Sequence, residues 1–560
     1  MGMLSSITDW ARGGGQRLPV PSLPSVRIEG TGVPRADFTS GTDGRGQRLA
    51  WSRYSIPPYS SSPYMSSQGG FVRREQAIAA SVATDFSTSN TTIATLIENL
   101  ATHNVGNGLT LSSKIDGDAV GITAVEARAL SSAIEKAFKL WAGSPLECDL
   151  SGRHTLHDIA RAAFMSYLRT GETVAAIEWK RMRGATSRTK LQLLDSRQLD
   201  QTKTLAGEGG TGTIQGVTFD VNGRVCGYHL IPIQLGQLAV TNVSTLVPAY
   251  TSWGRQKVIH LFDLVLAGQV RGMSPLVAAL TPSQEKSTLG EFTLDAALLQ
   301  TQYALTIESD LPSSAAMNGL RVGNDDFADG TQMHGYDPLA SRLEFYKESK
   351  ISAQPGVINH LSPGDKLKMN RAETPNSTFQ PFDKSLLRAA AKTAGSSYED
   401  ISGDYSDTSF SASRLAGETP YRINIRRRAS ITERLYRSVF SAWLEEAFET
   451  GLIELPKHAL PFYMARDAYC NGKWLGSGRI SPDPLKSAQA VILEIENGLT
   501  TLTDALAERG LDLEESIETR KVEMQMLKDA GLPAPATKSA ILPNDDAGQD
   551  DPPPSKRKPE

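Results

Sequence analysis

The sequence is 560 residues long, and a chain of this length is expected to form several packed modules, because single cores usually stop growing near roughly 250–300 residues. Its hydrophobic and charged fractions, 39% and 21%, are typical of an ordered soluble protein, and no run of about 18 apolar residues predicts a transmembrane helix. The formal net charge of −4 argues against a protein that clamps nucleic acid tightly, since such proteins usually carry a strongly basic surface.

The cysteines and the chain ends set the expected environment. Cys148, Cys226 and Cys470 are far apart and odd in number, which argues against a disulfide framework and favours a reducing compartment. The N-terminus lacks the basic-then-apolar pattern of a signal peptide, so we expect synthesis and assembly in the cytoplasm. Residues 1–70, rich in Gly, Ser and Pro, are predicted to be a flexible arm, and residues 532–560 a disordered tail.

Residues 71–280 are predicted to form a mixed α+β module. Apolar residues recur at helical spacing in 91–105, 123–141 and 155–171, and Thr123 with Glu126 forms a capping box. Strands are predicted at 174–179, 191–194, 217–221, 224–230 and 258–262. The pair around Asn222-Gly223 carries the strongest short hairpin signal in the chain.

A long, acidic helix is predicted next. Thr281 would be its N-cap and Pro282 its first residue, and it could extend to about Ser309. Residues 311–380 are irregular, with a strand candidate at 343–346.

Further helices and a polar loop follow this irregular segment. A helix is predicted near 384–393, a polar loop at 403–411 and a second long helix at about 412–450. Pro420 should kink that helix or mark its start. Short helices, each stopped by a glycine, are predicted at 484–497, 501–509 and 512–530.

An arginine cluster lies in the second long helix. Its members are Arg422, Arg426, Arg427, Arg428, Arg434 and Arg437. These cations would repel one another unless acidic surface or phosphate faces them. The pattern favours an interface with an acidic neighbouring subunit and leaves direct DNA contact open.

The sequence contains no catalytic or metal-binding motif that predicts an enzyme. Gly472-Lys473 is followed by Trp474, so a P-loop is absent, and the run Gly207–Gly212 is better explained as a β-hairpin loop. Cys148, His154 and His157 have spacings that zinc could use, but no fourth ligand stands out, and surface or capping roles are favoured. The acidic helix is more typical of a solvated face than of a nuclease carboxylate cluster. We therefore predict no catalytic residue, no metal and no cofactor.

Several segments resemble the lambda-type family of phage portal proteins, in the same order along 71–530. They include SYLRTGETVA at 166–175, LQLLDSRQLD at 191–200, GVTFDVNGRVCGYH at 216–229, VIHLFDLVLAGQVRGMSPLVAAL at 258–280 and, most specifically, SYEDISGDYSDTSFSASR at 397–414. The resemblance implies an α+β portal fold with an α/β wing, a long helical stem, a small α/β clip and a helical crown, in a closed ring of usually twelve copies. The implied divisions are a wing at 71–280, stem helices at 281–310 and 381–397, a clip at 311–380, a tunnel loop at 398–411, a long wing helix at 412–452 and a crown at 453–531.

The resemblance also implies which residues meet the DNA. The DNA-facing tunnel loop would carry Asp404, Tyr405, Ser406, Asp407, Thr408, Ser409 and Phe410. Candidates for the channel-facing stem are Glu285, Glu291, Asp295, Lys384, Arg388 and Lys392. Small polar groups with two aromatics suit transient contact with a moving duplex better than base readout, which usually needs Arg, Asn or Gln on a rigid element.

The implied role is a non-enzymatic channel at one capsid vertex of the virion, for DNA packaging and ejection. The implied partners are further copies of the chain, the terminase large subunit, major capsid and scaffold proteins, head-completion or adaptor proteins, and double-stranded DNA without sequence specificity; no membrane is involved. Two alternatives remain, a packaging enzyme (motor ATPase or nuclease) and a scaffold or head–tail connector. The missing P-loop counts against the first, and the length of the chain counts against the second.

Overall fold

The structure is a computed structural model in which a run of helices, a run of strands and further helices follow one another, in agreement with the α+β prediction. It describes residues 68–206, 211–232, 243–265, 268–302, 305–309, 365–369, 378–406, 408–478 and 484–532. The predicted arm up to residue 67, most of the predicted clip with its strand candidate at 343–346, and the tail after residue 532 lie outside these ranges. Among the helices so described, none combines the length and the apolar character that crossing a bilayer requires.

Helices dominate the first part of the described chain. They are α1 (Gln68–Ser89), α2 (Thr91–Asn104), α3 (Gly117–Val120), α4 (Ala124–Gly143), α5 (Pro145–Cys148) and α6 (Leu156–Thr170), with strand β1 (Thr110–Ser113) after α2. The predicted capping box of α4 is confirmed: the Glu126 amide donates to Thr123 Oγ1 at 3.3 Å and the Thr123 amide to Glu126 Oε2 at 2.9 Å. The predicted apolar faces of α2, α4 and α6 are buried, which places these helices against the core.

Two antiparallel sheets follow these helices. Their strands are β2 (Glu172–Trp179), β3 (Thr189–Leu194), β4 (Leu205–Ala206), β5 (Gly212–Ile214), β6 (Val217–Phe219), β7 (Val225–Leu230), β8 (Thr245–Pro248) and β9 (Val258–Phe262). One sheet has the order β3-β2-β9, and β4 to β8 form a meander. The predicted hairpin is confirmed, since β6 and β7 pair across a turn in which Gly223 has φ 77°, a conformation that favours glycine. Pairing of β4 with β5 likewise confirms that the glycine-rich run joins two hairpin strands.

The two sheets share one apolar core. Val174 and Val258 from the three-stranded sheet cluster with Val217 and Tyr228 from the meander and with Leu199 between them. All five side chains are buried, so the sheets pack as one module.

A buried ion pair lies beside this core. The Arg271 guanidinium donates from Nε to Glu172 Oε2 at 2.7 Å and forms a second, very short contact from Nη2 to Oε1. Its Nη1 also donates to the Gln215 carbonyl at 3.1 Å, and His260 Nε2 lies 3.0 Å from Glu172 Oε2. Burial alone would raise the pKa of Glu172, but Arg271 and His260 hold it well below its usual range. This network ties β2 and β9 to the turn before β6.

The long acidic helix differs from its prediction at both ends. It is α7 (Val277–Gln302), which begins four residues before Thr281 and contains Pro282. Leu276, Ala279 and Leu280 are buried, so packing of the first turns outweighs the local start signal at Thr281-Pro282. Beyond the helix, β10 (Leu305–Ser309) pairs antiparallel with β11 (Asp365–Met369), so the predicted extension to Ser309 is wrong. Strand β10 contains the β-branched residues Thr306 and Ile307, which favour a strand over a helix.

The second long helix is confirmed as a nearly continuous rod. After α8 (Phe379–Ala394) and α9 (Tyr398–Ser402), the chain forms α10 (Phe410–Arg427), a π-helical segment (Arg428–Glu433) and α11 (Arg434–Glu449). We call α10, the π segment and α11 together the rod. Pro420 lies ten residues inside α10, so it does not mark the start of the helix.

The C-terminal half of the rod is the centre of an aromatic core. Phe440 and Trp443 each lie 5.2 Å, centroid to centroid, from Phe138 of α4, in edge-on contacts. Nearer the end of the rod, the Glu446 carboxylate accepts hydrogen bonds from the backbone amides of Arg188 and Thr189 at 2.6 and 2.8 Å. The rod is thereby joined to both α4 and the edge strand β3.

The described chain ends in short elements. They are α12 (Arg466–Tyr469), β12 (Gly472–Leu475), which pairs with β1, and α13 (Pro484–Glu496), α14 (Leu502–Glu508) and α15 (Leu513–Asp529). The three helices predicted after residue 484 are confirmed, with Thr501 and Asp512 as the N-caps of α14 and α15.

Helix α15 is held to α4 mainly by charge. Lys139 Nζ lies 2.8 Å from Glu515 Oε1, and Lys136 Nζ lies 3.2 Å from Glu518 Oε2. All four side chains are largely exposed, and α15 buries none of its described residues. Exposed ion pairs of this kind contribute only about 0–1 kcal/mol each, so this docking is weak.

Glu135 opposes that docking when it is ionised. Its Oε1 accepts the Ser113 amide at 2.6 Å, while Asp512, Glu514 and Glu515 lie near it at the start of α15. Burial, and then repulsion from these three carboxylates, raise the pKa of Glu135 to about 7. Neutral Glu135 therefore favours the docked state, and ionised Glu135 disfavours it.

Replacing Arg271 with methionine should lower the free energy of unfolding by about 3–5 kcal/mol, because it leaves the Glu172 carboxylate buried without its cation. The control, Arg197→Met, removes an exposed pair with Asp195 and should cost less than about 1 kcal/mol. Urea denaturation followed by circular dichroism measures both. An equal decrease in the free energy of unfolding in the two variants would show that the buried pair is no more important for stability than the exposed pair.

Docking of α15 should weaken as the pH rises through about 7, because the raised pKa of Glu135 stabilises the docked state only while Glu135 is protonated. Hydrogen exchange of α15 amides, corrected for intrinsic rates, should therefore be faster at about pH 8 than at about pH 6. Glu135→Gln should abolish this difference, whereas Glu494→Gln on α13 should keep it. A pH difference that persists in Glu135→Gln would contradict this assignment.

Candidate functional site

The predicted polar loop is shorter than expected because helices enclose it. Of the predicted loop 398–411, the first five residues form α9, and Phe410 and Ser411 already belong to α10. Gly403, with φ 66°, ends α9, and Ser409 caps α10 by accepting the Ala412 amide at 3.3 Å. We call residues 403–409 the loop. Asp407 lies outside the described residues, and the structure does not describe the side chain of Phe410.

Asp404 is the most highly bonded residue of the loop. Its Oδ1 accepts the Ser406 amide at 3.1 Å and the Ser406 hydroxyl at 2.5 Å. Its Oδ2 accepts the Tyr398 hydroxyl at 3.2 Å and lies 3.5 Å from Lys384 Nζ. The Ser406 hydrogen bonds, followed by Lys384 and Tyr398, lower the pKa of Asp404 to about 2, so it is ionised at neutral pH.

Three other described side chains of the loop are exposed. The Tyr405 side chain is 58% exposed, while the Tyr405 carbonyl accepts the Thr408 hydroxyl at 3.0 Å. Ser406 and Ser409 are exposed as well. The loop thus combines an internally bonded acidic residue with an exposed aromatic hydroxyl.

The base of the loop is tied to α2 through Asp400. Its carboxylate lies 3.1 Å from His103 Nε2 and accepts the Ser396 hydroxyl at 2.5 Å, and its carbonyl accepts a hydrogen bond from Asn99 Nδ2 at 2.7 Å. The hydrogen bond to Asp400 raises the pKa of His103, in spite of its partial burial. Sequence reasoning missed this contact, because about 300 residues separate the partners.

Helices α7 and α8 pack side by side next to the loop. Lys286 of α7 and Asp383 of α8 form an ion pair at 3.4 Å. The N-cap residue of α2, Asn90, also binds α7, donating to the Ser283 carbonyl at 3.2 Å and to Ser287 Oγ at 3.1 Å. The helix pair is therefore fixed at two places.

The six stem candidates differ in their surroundings. The carboxylates of α7, Glu285, Glu291 and Asp295, are exposed, as is Lys392 of α8. The structure brings the other two, Lys384 and Arg388, to the base of the loop: Lys384 meets Asp404, and the Arg388 guanidinium lies 5.1 Å above the Tyr398 ring.

The arginine cluster divides into inward and outward members. Arg427 is buried and donates to the Ala394 carbonyl at 2.7 Å; half-buried Arg428 donates to the His103 and Asn104 carbonyls at 2.7 and 2.9 Å. These carbonyls end α8 and α2, where hydrogen-bond acceptors are unpaired and the helix dipole favours cations. Arg427 and Arg428 thus bind helix ends of their own chain, and their predicted contact with an acidic neighbouring subunit or with DNA stays a prediction.

The outward arginines are Arg422, Arg426, Arg434 and Arg437. Arg422 forms an exposed pair with Glu418 at 3.1 Å, and Arg426 pairs with Asp263 at 3.1 Å. These contacts leave the choice between a subunit interface and DNA open.

Asp263 joins the rod to the core. It accepts the Tyr167 hydroxyl at 2.6 Å and the Ser430 hydroxyl at 2.8 Å, in addition to Arg426. These donors outweigh the effect of burial and lower the pKa of Asp263. The sequence carried no local signal for this residue, since its partners lie on two distant helices.

The candidate zinc ligands have other partners. Cys148 is buried, and burial raises the pKa of its thiol to about 12. His157 Nδ1 lies 2.8 Å from the Tyr436 hydroxyl. Within the described ranges, no three His, Cys, Asp or Glu side chains are grouped so that they could hold a metal ion.

Two chains of solved particle structures match most of this chain, but only weakly. A chain from the virion of a native gene transfer agent particle matches 78% of this chain and 99% of its own length, at 12% identity and a TM-score of 0.38. A chain from the neck of an empty particle of this kind matches 77% of this chain and 93% of its own, at 13% identity and a TM-score of 0.39. Structural likeness at this level supports no argument by itself.

The sequence relatives are more informative. Portal protein B of Escherichia phage lambda is 28% identical over 466 residues, which cover 82% of this chain and 86% of that protein. The portal protein of Escherichia phage N15 is 28% identical over 443 residues, or 79% and 82% of the two chains. The model of the family described as phage portal protein, lambda family, matches residues 62–428. The chain therefore belongs to the lambda family of phage portal proteins.

Proposed function

We propose that the chain is one subunit of a closed ring, of about twelve copies, that conducts double-stranded DNA through one capsid vertex during packaging and ejection. As a member of its family the protein is a virion component. The observation that carries the proposal is the loop 403–409: Asp404 binds α8, Ser409 caps the first turn of the rod, and Tyr405 between them is exposed. In the ring, α7 and α8 form the stem and the loop faces the channel.

The charges of the site favour sliding over binding. Glu285, Glu291 and Asp295 expose carboxylates along α7, while Lys384 of α8 is paired with Asp404. Arg388 of α8 lies over the Tyr398 ring, which leaves exposed Lys392 as the remaining stem cation. The three α7 carboxylates oppose phosphate binding at this wall, which keeps the counterion release that drives tight DNA binding small. Twelve copies of a chain of formal net charge −4 would carry about −48, which adds to the repulsion.

Ring closure needs a contact between two different faces of the subunit. The paired helices expose apolar side chains that packing within the subunit leaves uncovered, namely Phe292, Leu294 and Leu298 on α7 and Phe382 on α8. Stem helices standing side by side in a ring would cover them. The outward arginines extend this interface along the rod, with DNA contact as the alternative.

The remaining divisions follow the family pattern. We propose that 71–280 forms the wing, 311–380 the clip, 412–452 the long wing helix and 453–531 the crown. The proposed partners are the terminase large subunit during packaging, head-completion or adaptor proteins afterwards, and major capsid and scaffold proteins at the vertex. The DNA is held without sequence specificity, because an exposed tyrosine and serines on a loop offer little base-edge readout.

We further propose that the ring has no catalytic activity of its own and that ATP hydrolysis belongs to the docked terminase. Robust ATP turnover by the purified protein would favour the alternative of a packaging motor.

Replacing residues 404–409 with a Gly-Ser linker should leave ring formation intact and reduce the yield of DNA-filled heads at least several-fold, because the linker removes the channel-facing contacts. An in vitro packaging assay with nuclease protection measures this yield, and negative-stain microscopy measures ring formation. The control replaces Val221 and Asn222, in the exposed β6–β7 turn, with serine and should package normally. Loss of the ring itself would show that residues 404–409 form part of the structural core and not a channel loop.

A further inference from the structure

Asp404 is poorly placed to meet DNA, although it lies in the loop. Its two oxygens accept hydrogen bonds from the Ser406 amide and hydroxyl and from the Tyr398 hydroxyl, and Lys384 Nζ lies 3.5 Å away. A carboxylate has about four acceptor positions, so these four groups nearly saturate it. Its negative charge is also compensated by Lys384.

These contacts link α8, α9 and the loop to one another in a continuous chain of side-chain interactions. Lys384 and Arg388 are four residues apart on α8 and so lie on the same side of the helix. Lys384 meets Asp404, and Arg388 lies over the ring of Tyr398, whose hydroxyl donates to the same carboxylate. Helix α8 therefore contacts the loop directly through Lys384 and indirectly through Tyr398 of α9.

The Tyr405 side chain takes no part in these contacts. The backbone turn from Asp404 to Ser406 passes through Tyr405, and the Tyr405 carbonyl accepts the Thr408 hydroxyl. The Tyr405 side chain is 58% exposed. Backbone hydrogen bonds on both sides of Tyr405 fix the direction in which this exposed side chain leaves the loop, so less backbone entropy is lost on contact.

We propose that Asp404 is a positioning residue, which anchors the loop to α8 so that Tyr405 is presented to the phosphate backbone of the passing duplex. The inference rests on the proposed channel function. It also assigns Asp404 a second effect: by pairing with Lys384, it keeps that ammonium from binding phosphate.

The first test is local and needs no DNA. In assembled rings, Asp404→Ala should speed hydrogen exchange of the Ser406 amide roughly fivefold, the factor expected for loss of one ordinary hydrogen bond. Asp404→Asn keeps an acceptor for that amide and should restore most of the protection. The matched control is Asp220→Ala: Asp220 accepts the Asn222 and Arg224 amides in the same way at the exposed β6–β7 turn. It should loosen only its own turn.

The second test is functional. Asp404→Ala and Tyr405→Ala should lower the yield of DNA-filled heads to a similar degree, and Asp220→Ala should leave it unchanged. Asp404→Asn should also lower the yield, because it keeps the Ser406 turn but loses the ion pair that anchors the loop to Lys384 of α8. Wild-type exchange and packaging in Asp404→Ala, together with a defect in Tyr405→Ala, would overturn the positioning role and leave the channel function standing. Normal packaging in both variants and in the Gly-Ser linker variant would overturn the channel function itself.

Discussion

The rod from Phe410 to Glu449 is held in place by polar groups that would otherwise be buried without partners. Asp263 is enclosed by donors from the rod and from α6, and the buried Arg427 guanidinium reaches the last carbonyl of α8. Removing a carboxylate or a helix-end carbonyl from water costs free energy unless a hydrogen bond replaces the lost solvent. These contacts therefore fix both the rotation and the axial position of the rod, and α2, α6 and α8 are arranged around it.

The loop takes its position from this constraint. Its C-terminal end is the capped first turn of the rod, and its N-terminal end is bound to α8 through Asp404 and to α2 through Asp400. Since α8 is also bound to the rod by Arg427, the elements that hold the loop are bonded to one another. Tyr405 can therefore be exposed on a backbone that is held in place, while the Asp404 charge is paired with Lys384 within the subunit.

Local signals were predicted well from the sequence, and distant pairs were not. The Thr123 capping box and the Asn222-Gly223 turn follow from neighbouring residues, and both are confirmed. The predicted start of α7 was wrong, because burial of the first helical turns outweighs the N-cap signal at Thr281-Pro282. The arginine cluster was recognised, but the inward partner of Arg427 could not be, because a pattern of cations does not identify an acceptor 33 residues away. Family resemblance supplied the channel role, which composition alone left open.

Electron cryomicroscopy of the purified, assembled protein would show both the ring and the place of the loop in it. We expect a closed ring whose central hole admits duplex DNA, with α7 and α8 standing around it and Tyr405 on its wall. A compact monomer at every concentration, or a ring that carries residues 403–409 on its outer surface, would contradict this expectation.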